Sequence, residues 1–196
     1  MRIAIDIDST LHHHWDVLSE VSRQRFGIEL PYEEQVSWGI TRLREDQLQL
    51  CIEESHSDAR ILAGHPYPGA VETVCRWHRE GHVVYVVSSR EERMRPATER
   101  WLQAIGLPFE RLHCCPEKVL RCSEERVELL IDDSPSDLSH AAELGIAVAA
   151  ILHPWNEELC EEEGLLAARD WAQLSAALET LLTANCDASK QGALAG

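Results

Sequence analysis

Two aspartates, Asp6 and Asp8, close an apolar run near the start of the chain, Arg2-Ile3-Ala4-Ile5-Asp6-Ile7-Asp8-Ser9-Thr10. In an extended chain, positions i and i+2 face the same side. A strand over residues 2–8 therefore carries both carboxylates together at its end. Carboxylates held side by side repel, and a divalent cation with its preference for hard oxygen ligands offsets that repulsion. Two solvated carboxylates opening a loop would give the same short pattern, so the remainder of the chain has to decide.

Further along, other apolar runs end in the same way. Val83 to Val87 is continuous and apolar and runs into Ser88-Ser89-Arg90. Val127 to Ile131 runs into Asp132-Asp133-Ser134, with Lys118 ahead of it. Strands without polar alternation are buried on both faces, as in a parallel sheet. Between them lie helical patterns at Ala70 to Glu80, Pro96 to Ile105 and Leu138 to Leu144, each followed by a glycine at or near its end. Ile146 to Leu152 reads as a fourth strand, and Asp170-Trp171-Ala172-Gln173 starts a last helix in capping-box form. This alternation predicts an α/β fold, a doubly wound, Rossmann-like parallel sheet flanked by helices. Ligands in such folds bind beyond the carboxyl ends of the strands, where these polar residues collect.

The composition sets limits. The chain has 196 residues, enough for one domain with a small insert, and is 44% hydrophobic and 27% charged. Its formal charge of −16, from 34 acidic against 18 basic residues, speaks against a nucleic-acid polymer or an anionic membrane as partner. A small phosphorylated substrate remains compatible, because a bound cation supplies local positive charge. Seven cysteines without framework spacing read as reduced thiols. No run reaches the length of a membrane span, so a cytoplasmic location is expected.

Taken together and in order, these motifs resemble those of the haloacid-dehalogenase-like hydrolases. Asp6-Ile7-Asp8-Ser9-Thr10 is similar to the first motif of that superfamily, Ser88 to the second, Lys118 to the third and Asp132-Asp133-Ser134 to the fourth. The resemblance implies a Mg2+-dependent phosphoric monoester hydrolase. Asp6 would be the nucleophile, forming an aspartyl-phosphate. Asp8 would serve as acid and base and give its backbone carbonyl to the metal. Ser88 would hydrogen-bond the phosphoryl oxygens, and Lys118 would neutralise Asp6 and the transferring group. Asp133 would contact the metal directly and Asp132 through water or a neighbouring group. An acid at Asp8 points to phosphoryl chemistry and away from dehalogenation. Arg121 is a rival for the place of Lys118. Ser9 stands where glycine is common, at the cost of strain if the turn needs a positive φ.

The resemblance also makes residues 12–64 a small helical cap between core segments 1–11 and 65–183, with 184–196 expected as a disordered tail. Cap closure would exclude water. The Ser-x-Arg and Asp-Asp-Ser endings are similar to the 5′(3′)-deoxyribonucleotidase branch, which implies a nucleoside monophosphate as substrate, held by Ser88, Ser89, Arg90 and Lys118. Arg90 could instead pair with an acidic neighbour, and Trp15, Trp38 and Tyr67 could stack on a base or simply pack. A sugar phosphate, a phosphoryl transfer to another acceptor, or nucleotide binding without hydrolysis are the competing expectations. His12-His13-His14 is expected to place one imidazole at the site mouth and the others in solvent. Zinc at His113, Cys114, Cys115 and Cys122 is disfavoured by the missing C-x-x-C pairs.

Overall fold

The computed structural model describes residues 1–193, with side chains described as far as Leu182. In chain order the elements are β1 (Arg2–Ile5), α1 (His14–Phe26), α2 (Glu45–Ser55), α3 (Asp58–Ala63), α4 (Ala70–Arg79), β2 (Val83–Ser88), α5 (Arg95–Ala104), β3 (Arg111–Cys114), α6 (Lys118–Glu124), β4 (Leu129–Asp132), α7 (Pro135–Glu143), β5 (Ala147–Ile151), α8 (Glu157–Glu162), β6 (Leu166–Ala168) and α9 (Trp171–Ala193). The strands form one parallel sheet in the order β3-β2-β1-β4-β5-β6.

The apolar runs explain this sheet. Ile3, Ile5, Val84, Val86, Leu129 and Ile131 pack on one face, while Ala4, Tyr85, Val87 and Leu130 pack on the other. Every second residue changes sides, and both sides are covered by helices, so no polar alternation appears in the strands. The strand order reverses direction between β1 and β4, and such a switch leaves a crevice beyond the carboxyl ends of those two strands.

Four elements escape the sequence pattern. The β3 strand, Arg-Leu-His-Cys, is short, polar and at the sheet edge, and β6 is three residues of which two are alanine. Neither offers the β-branched run that marks a strand. Helices α6 and α8, of seven and six residues, are too short for a helical period to stand out. The first strand is also shorter than expected. β1 stops at Ile5, although the Asp6 N–H still donates to the Ile131 carbonyl at 2.9 Å. The chain then turns, with Ser9 at φ 62° and the N–H groups of Thr10, Leu11 and His12 donating to Ile7 O. The tail expected over 184–196 lies outside the residues whose side chains are described.

Between β1 and α4 the chain makes a helical insert with its own small core of Trp15, Leu18, Val21, Leu30, Leu43 and Cys51, completed by Trp155 from beyond β5. It leaves and returns along paired backbone. His13 N–H donates to His65 O at 3.2 Å, Tyr67 N–H donates to Leu11 O at 2.8 Å, and His12 bridges Pro66. Here the buried His12 imidazole lies so close to Gly64 that a Cβ would overlap it, while Trp101 donates to the Gly64 carbonyl at 2.9 Å and stands edge-on to His12. Among the described residues no helix is long and apolar enough to cross a membrane.

Because His12 is backed by Trp101 and cannot retreat freely, Gly64→Ala should destabilise the fold by about 1–3 kcal/mol, as overpacking does. Urea unfolding would show this as a lower midpoint at an unchanged slope.

Candidate active site

Lys118 begins α6 and points under the carboxyl ends of β1 and β4. Its Nζ lies 2.7 Å from Asp6 Oδ1, 2.9 Å from Asp132 Oδ2 and 3.0 Å from Asp137 Oδ2. The side chain is 3% exposed. Arg121, one turn along, is on the surface and pairs with Glu124. Asp132 turns its other oxygen toward the chain that follows, accepting from the N–H groups of Asp133 and Ser134 at 2.9 and 3.0 Å. Asp133 accepts from Thr10 Oγ1 at 3.2 Å and from Trp155 Nε1 at 3.1 Å. Asn156 Nδ2 donates to the Asp133 carbonyl at 3.0 Å.

Asp6, Asp132 and Asp133 form a buried trio whose carboxylate oxygens lie within 4.8 Å of one another. Asp8 is not one of them. Its carboxylate turns away to Arg90, which grips it with both arms, Nε to Oδ2 at 2.9 Å and an Nη to Oδ1 at 2.6 Å. His56 Nε2 lies 3.1 Å from Asp8 Oδ2 and His12 Nδ1 3.4 Å from Oδ1. Asp6 and Asp8 thus both line the cavity, each with its own cationic partner, Lys118 and Arg90. Arg90 is held in turn by Thr98.

Ser88 ends β2 and its hydroxyl accepts the Arg90 N–H at 3.2 Å, so it caps the turn while also lining the cavity. That cavity holds about 500 Å3. Its floor is Asp6, Asp8, Ser88, Ser89, Lys118 and Asp133. It is also lined by Trp15, Trp38, Ile40, Leu48 and Ile52 of the insert, with Trp155, which packs on Trp15 and Trp38, and Met94. Trp38 is 55% exposed at the rim, whereas Trp15 serves both packing and lining. Tyr67 is absent from the lining and stacks on His13 at 3.7 Å. His14 reaches the cavity and stacks on His56 at 4.5 Å. His12 is buried instead of solvated, and His13 is half-buried. Among the described residues the cysteines are free thiols, and His113 pairs with Glu125.

Several residues here were not singled out from the sequence: Asp137, His56, His153, Trp155 and Asn156. The last three belong to His153-Pro154-Trp155-Asn156, which follows the apolar strand β5 directly. A polar cluster at the carboxyl end of a fourth strand was therefore legible by the rule that picks out Asp6, Ser88 and Asp132. His56 carried no such signal, since it reaches Asp8 only through the fold of the insert.

Burial works against the Lys118 charge, yet Asp132, Asp6 and Asp137 together hold its ammonium well above its ordinary range. Burial pushes Asp6 well up, against the pull of Lys118 and with the push of Asp132 and Asp133. Burial and Asp132 push Asp133 up to about 8. One ammonium thus faces more buried carboxylate charge than it neutralises. For Asp8, burial is outweighed by Arg90, His14 and His56, and its carboxyl sits well below the usual range. The trio offers hard oxygen donors with uncompensated negative charge, which suits a divalent cation.

No family model matches the chain. A Bacillus cereus protein named "putative nucleotidase" is 24% identical over 174 residues, covering 81% of this chain and 90% of that protein. Among solved structures, a hydrolase of Deinococcus radiodurans with bound phosphate and sodium has a TM-score of 0.64 at 17% identity, covering 92% of this chain and 96% of that one. A Lactobacillus delbrueckii protein described as a "putative phosphoglycolate phosphatase" has a TM-score of 0.68 at 12% identity, covering 90% and 97%. The fold is that of the haloacid-dehalogenase-like hydrolases. On this HAD-like fold the trio, Lys118 and Ser88 occupy the carboxyl edge of the sheet where the polar strand ends converge.

The acid trio makes stability depend on pH in a defined direction. Asp133 is raised in the folded protein from 3.8 to about 8. Between those values the cation-free fold keeps a proton that the unfolded chain has released, so this contribution is lost as pH rises through about 8. A divalent cation binds the deprotonated trio and opposes that loss. Mg2+ added to chelator-treated protein should raise the melting midpoint more at pH 8 than at pH 5, and Asp133→Asn should shrink the difference. An equal response to Mg2+ at both pH values would contradict this account.

Proposed function

We propose that the protein is a Mg2+-dependent phosphomonoesterase that forms an aspartyl-phosphate on Asp6 and acts on nucleoside monophosphates. The observation that carries the reading is the buried contact of Lys118 with Asp6 and Asp132 beside Asp133. A phosphomonoester dianion meets there an ammonium that no solvent screens, next to a carboxylate able to attack in line.

The division of labour follows. Asp6, Asp132 and Asp133 would hold Mg2+, with the Asp8 carbonyl, and the ion would neutralise phosphoryl charge. Asp6 supplies the nucleophilic oxygen; the P–O bond to the leaving group breaks as the Asp6–P bond forms. Lys118 offsets the charge on Asp6 and on the phosphoryl oxygens, and Ser88 and Ser89 donate to those oxygens. Asp8, kept ionised by the Arg90 fork, is ready to take a proton from water in the second half of the reaction. Donating a proton to the leaving oxygen in the first half requires that fork to loosen, and a bound phosphate competes for the same guanidinium. The insert acts as a cap that shields the site while the intermediate exists.

The cavity supports a nucleoside as the leaving group. Its two full-time cations are already engaged, Arg90 by Asp8 and Lys118 by three carboxylates. Burial, the main cause, drives His14 down to about 3, so it adds no charge. What remains is a wall of Trp15, Trp38, Trp155 and aliphatic side chains, which fits an uncharged planar group. The relation to a Bacillus cereus protein named as a nucleotidase points the same way.

Asp6→Asn should lower turnover on the order of 10^3-fold or more with the fold intact by circular dichroism; unchanged turnover would remove Asp6 as the nucleophile. In a Mg2+ phosphate-release assay, nucleoside monophosphates should exceed phosphoglycolate and sugar bisphosphates in kcat/KM by about 100-fold or more. A second anion in this cavity meets carboxylates without a free cation. A preference for the doubly anionic substrates would sink the nucleotidase reading and leave phosphoryl chemistry standing.

A further inference from the structure

The strained turn that follows Asp8 is held from a distance. Ser9 has φ 62°, a conformation that side chains other than glycine adopt at a cost of roughly 1 kcal/mol or more. Its carbonyl accepts a 2.7 Å hydrogen bond from Nε2 of His153, which follows β5. The other ring nitrogen, Nδ1, accepts the hydroxyl of Tyr32 at 2.7 Å. Tyr32 belongs to the helical insert, in the turn Tyr32–Glu34.

Each link in this string has one sense. Burial pushes His153 down to about 4, so the imidazole is neutral and carries a single proton. Burial also pushes Tyr32 up to about 12, so its O–H is a donor. Tyr32 donating to Nδ1 places the ring proton on Nε2, facing the Ser9 carbonyl. The ring cannot tilt, because it lies flat on Trp155 at 4.3 Å with an interplanar angle of 6°. That indole in turn donates to Asp133 and packs with Trp15. Tyr32 is not among the residues lining the cavity.

We propose that Tyr32 and His153 form a latch through which docking of the insert fixes the turn that bears Asp8 and Thr10. His153 is a positioning residue: it touches no reacting atom and acts through the Ser9 carbonyl. With the insert lifted, Nδ1 loses its donor, the ring proton is free to sit on either nitrogen, and the hold on Ser9 weakens. The acid/base side chain is then set in place only when the cavity is covered.

The turn itself offers a readout that needs no substrate. Ser9 N–H donates to His12 O, and the N–H groups of Thr10, Leu11 and His12 all donate to Ile7 O. Their hydrogen exchange therefore reports opening of the turn. By mass spectrometry on the full chain, Tyr32→Phe should speed exchange at residues 9–12 by about 10-fold. His153→Phe, which keeps the stacking on Trp155, should speed it at least as much, and the double variant no more than His153→Phe alone. Val36→Ser, at an exposed position in the same segment of the insert, should change exchange only locally. Wild-type exchange at residues 9–12 in Tyr32→Phe overturns the latch, as do additive effects in the double variant. Should His153→Phe fail to fold, Tyr32→Phe alone decides. The kinetic arm rests on the phosphomonoesterase reading: Tyr32→Phe should lower kcat about 10-fold with KM within about two-fold. A raised KM with unchanged kcat would overturn positioning. A protein that hydrolyses no phosphomonoester would refute that reading while the exchange result still judged the latch.

Discussion

The constraint on which this site depends is a charge imbalance out of reach of water. Lys118 is buried against Asp6, Asp132 and Asp137, and Asp133 stands beside them. Removing an ammonium and several carboxylates from water is expensive unless each charge finds partners. The fold supplies those it can: backbone N–H groups on Asp132, the Thr10 hydroxyl and Trp155 indole on Asp133. The negative excess that remains defines what the site can accept. The parallel sheet is what makes the arrangement possible, since β1 and β4 are neighbours and their ends meet at the switch point.

A second charge centre lies beside the first and is built differently. Asp8 is gripped by the Arg90 guanidinium and lies within hydrogen-bonding reach of His56 and His12. Two aspartates only two positions apart thereby acquire opposite environments, one raised and one lowered. What parts them is their partners, Lys118 with its carboxylates for Asp6 and the Arg90 fork for Asp8.

Much of this was legible in the sequence because strand ends advertise themselves. An apolar run that stops in Asp, Ser or Asp-Asp marks both a buried strand and a polar edge, and β1, β2 and β4 were found in that way. The alternation of strands with helices gave the doubly wound sheet. What stayed hidden had weak local signals. β3 and β6 are short and lack β-branched runs, and α6, which carries Lys118, is barely two turns long. The direction of the Asp8 side chain could not be read from period-2 spacing, because the strand ends before the spacing applies. His56 reaches Asp8, and Tyr32 reaches His153, by tertiary packing alone, and no pattern within their own segments announces it.

The attachment of the insert has a mechanical consequence. Outgoing and returning chains are hydrogen-bonded to each other at His13–His65 and Leu11–Tyr67, with His12 bridging Pro66. Two single tethers would let the insert wander and twist. A paired ribbon restricts both more than two separate strands of loop would. The core meets the insert at this short ladder and again at Tyr32–His153, at His56–Asp8 and at Trp155. Any displacement of the insert about that ladder would have to break those contacts together, so its seating and the surroundings of Asp8 are not independent of one another.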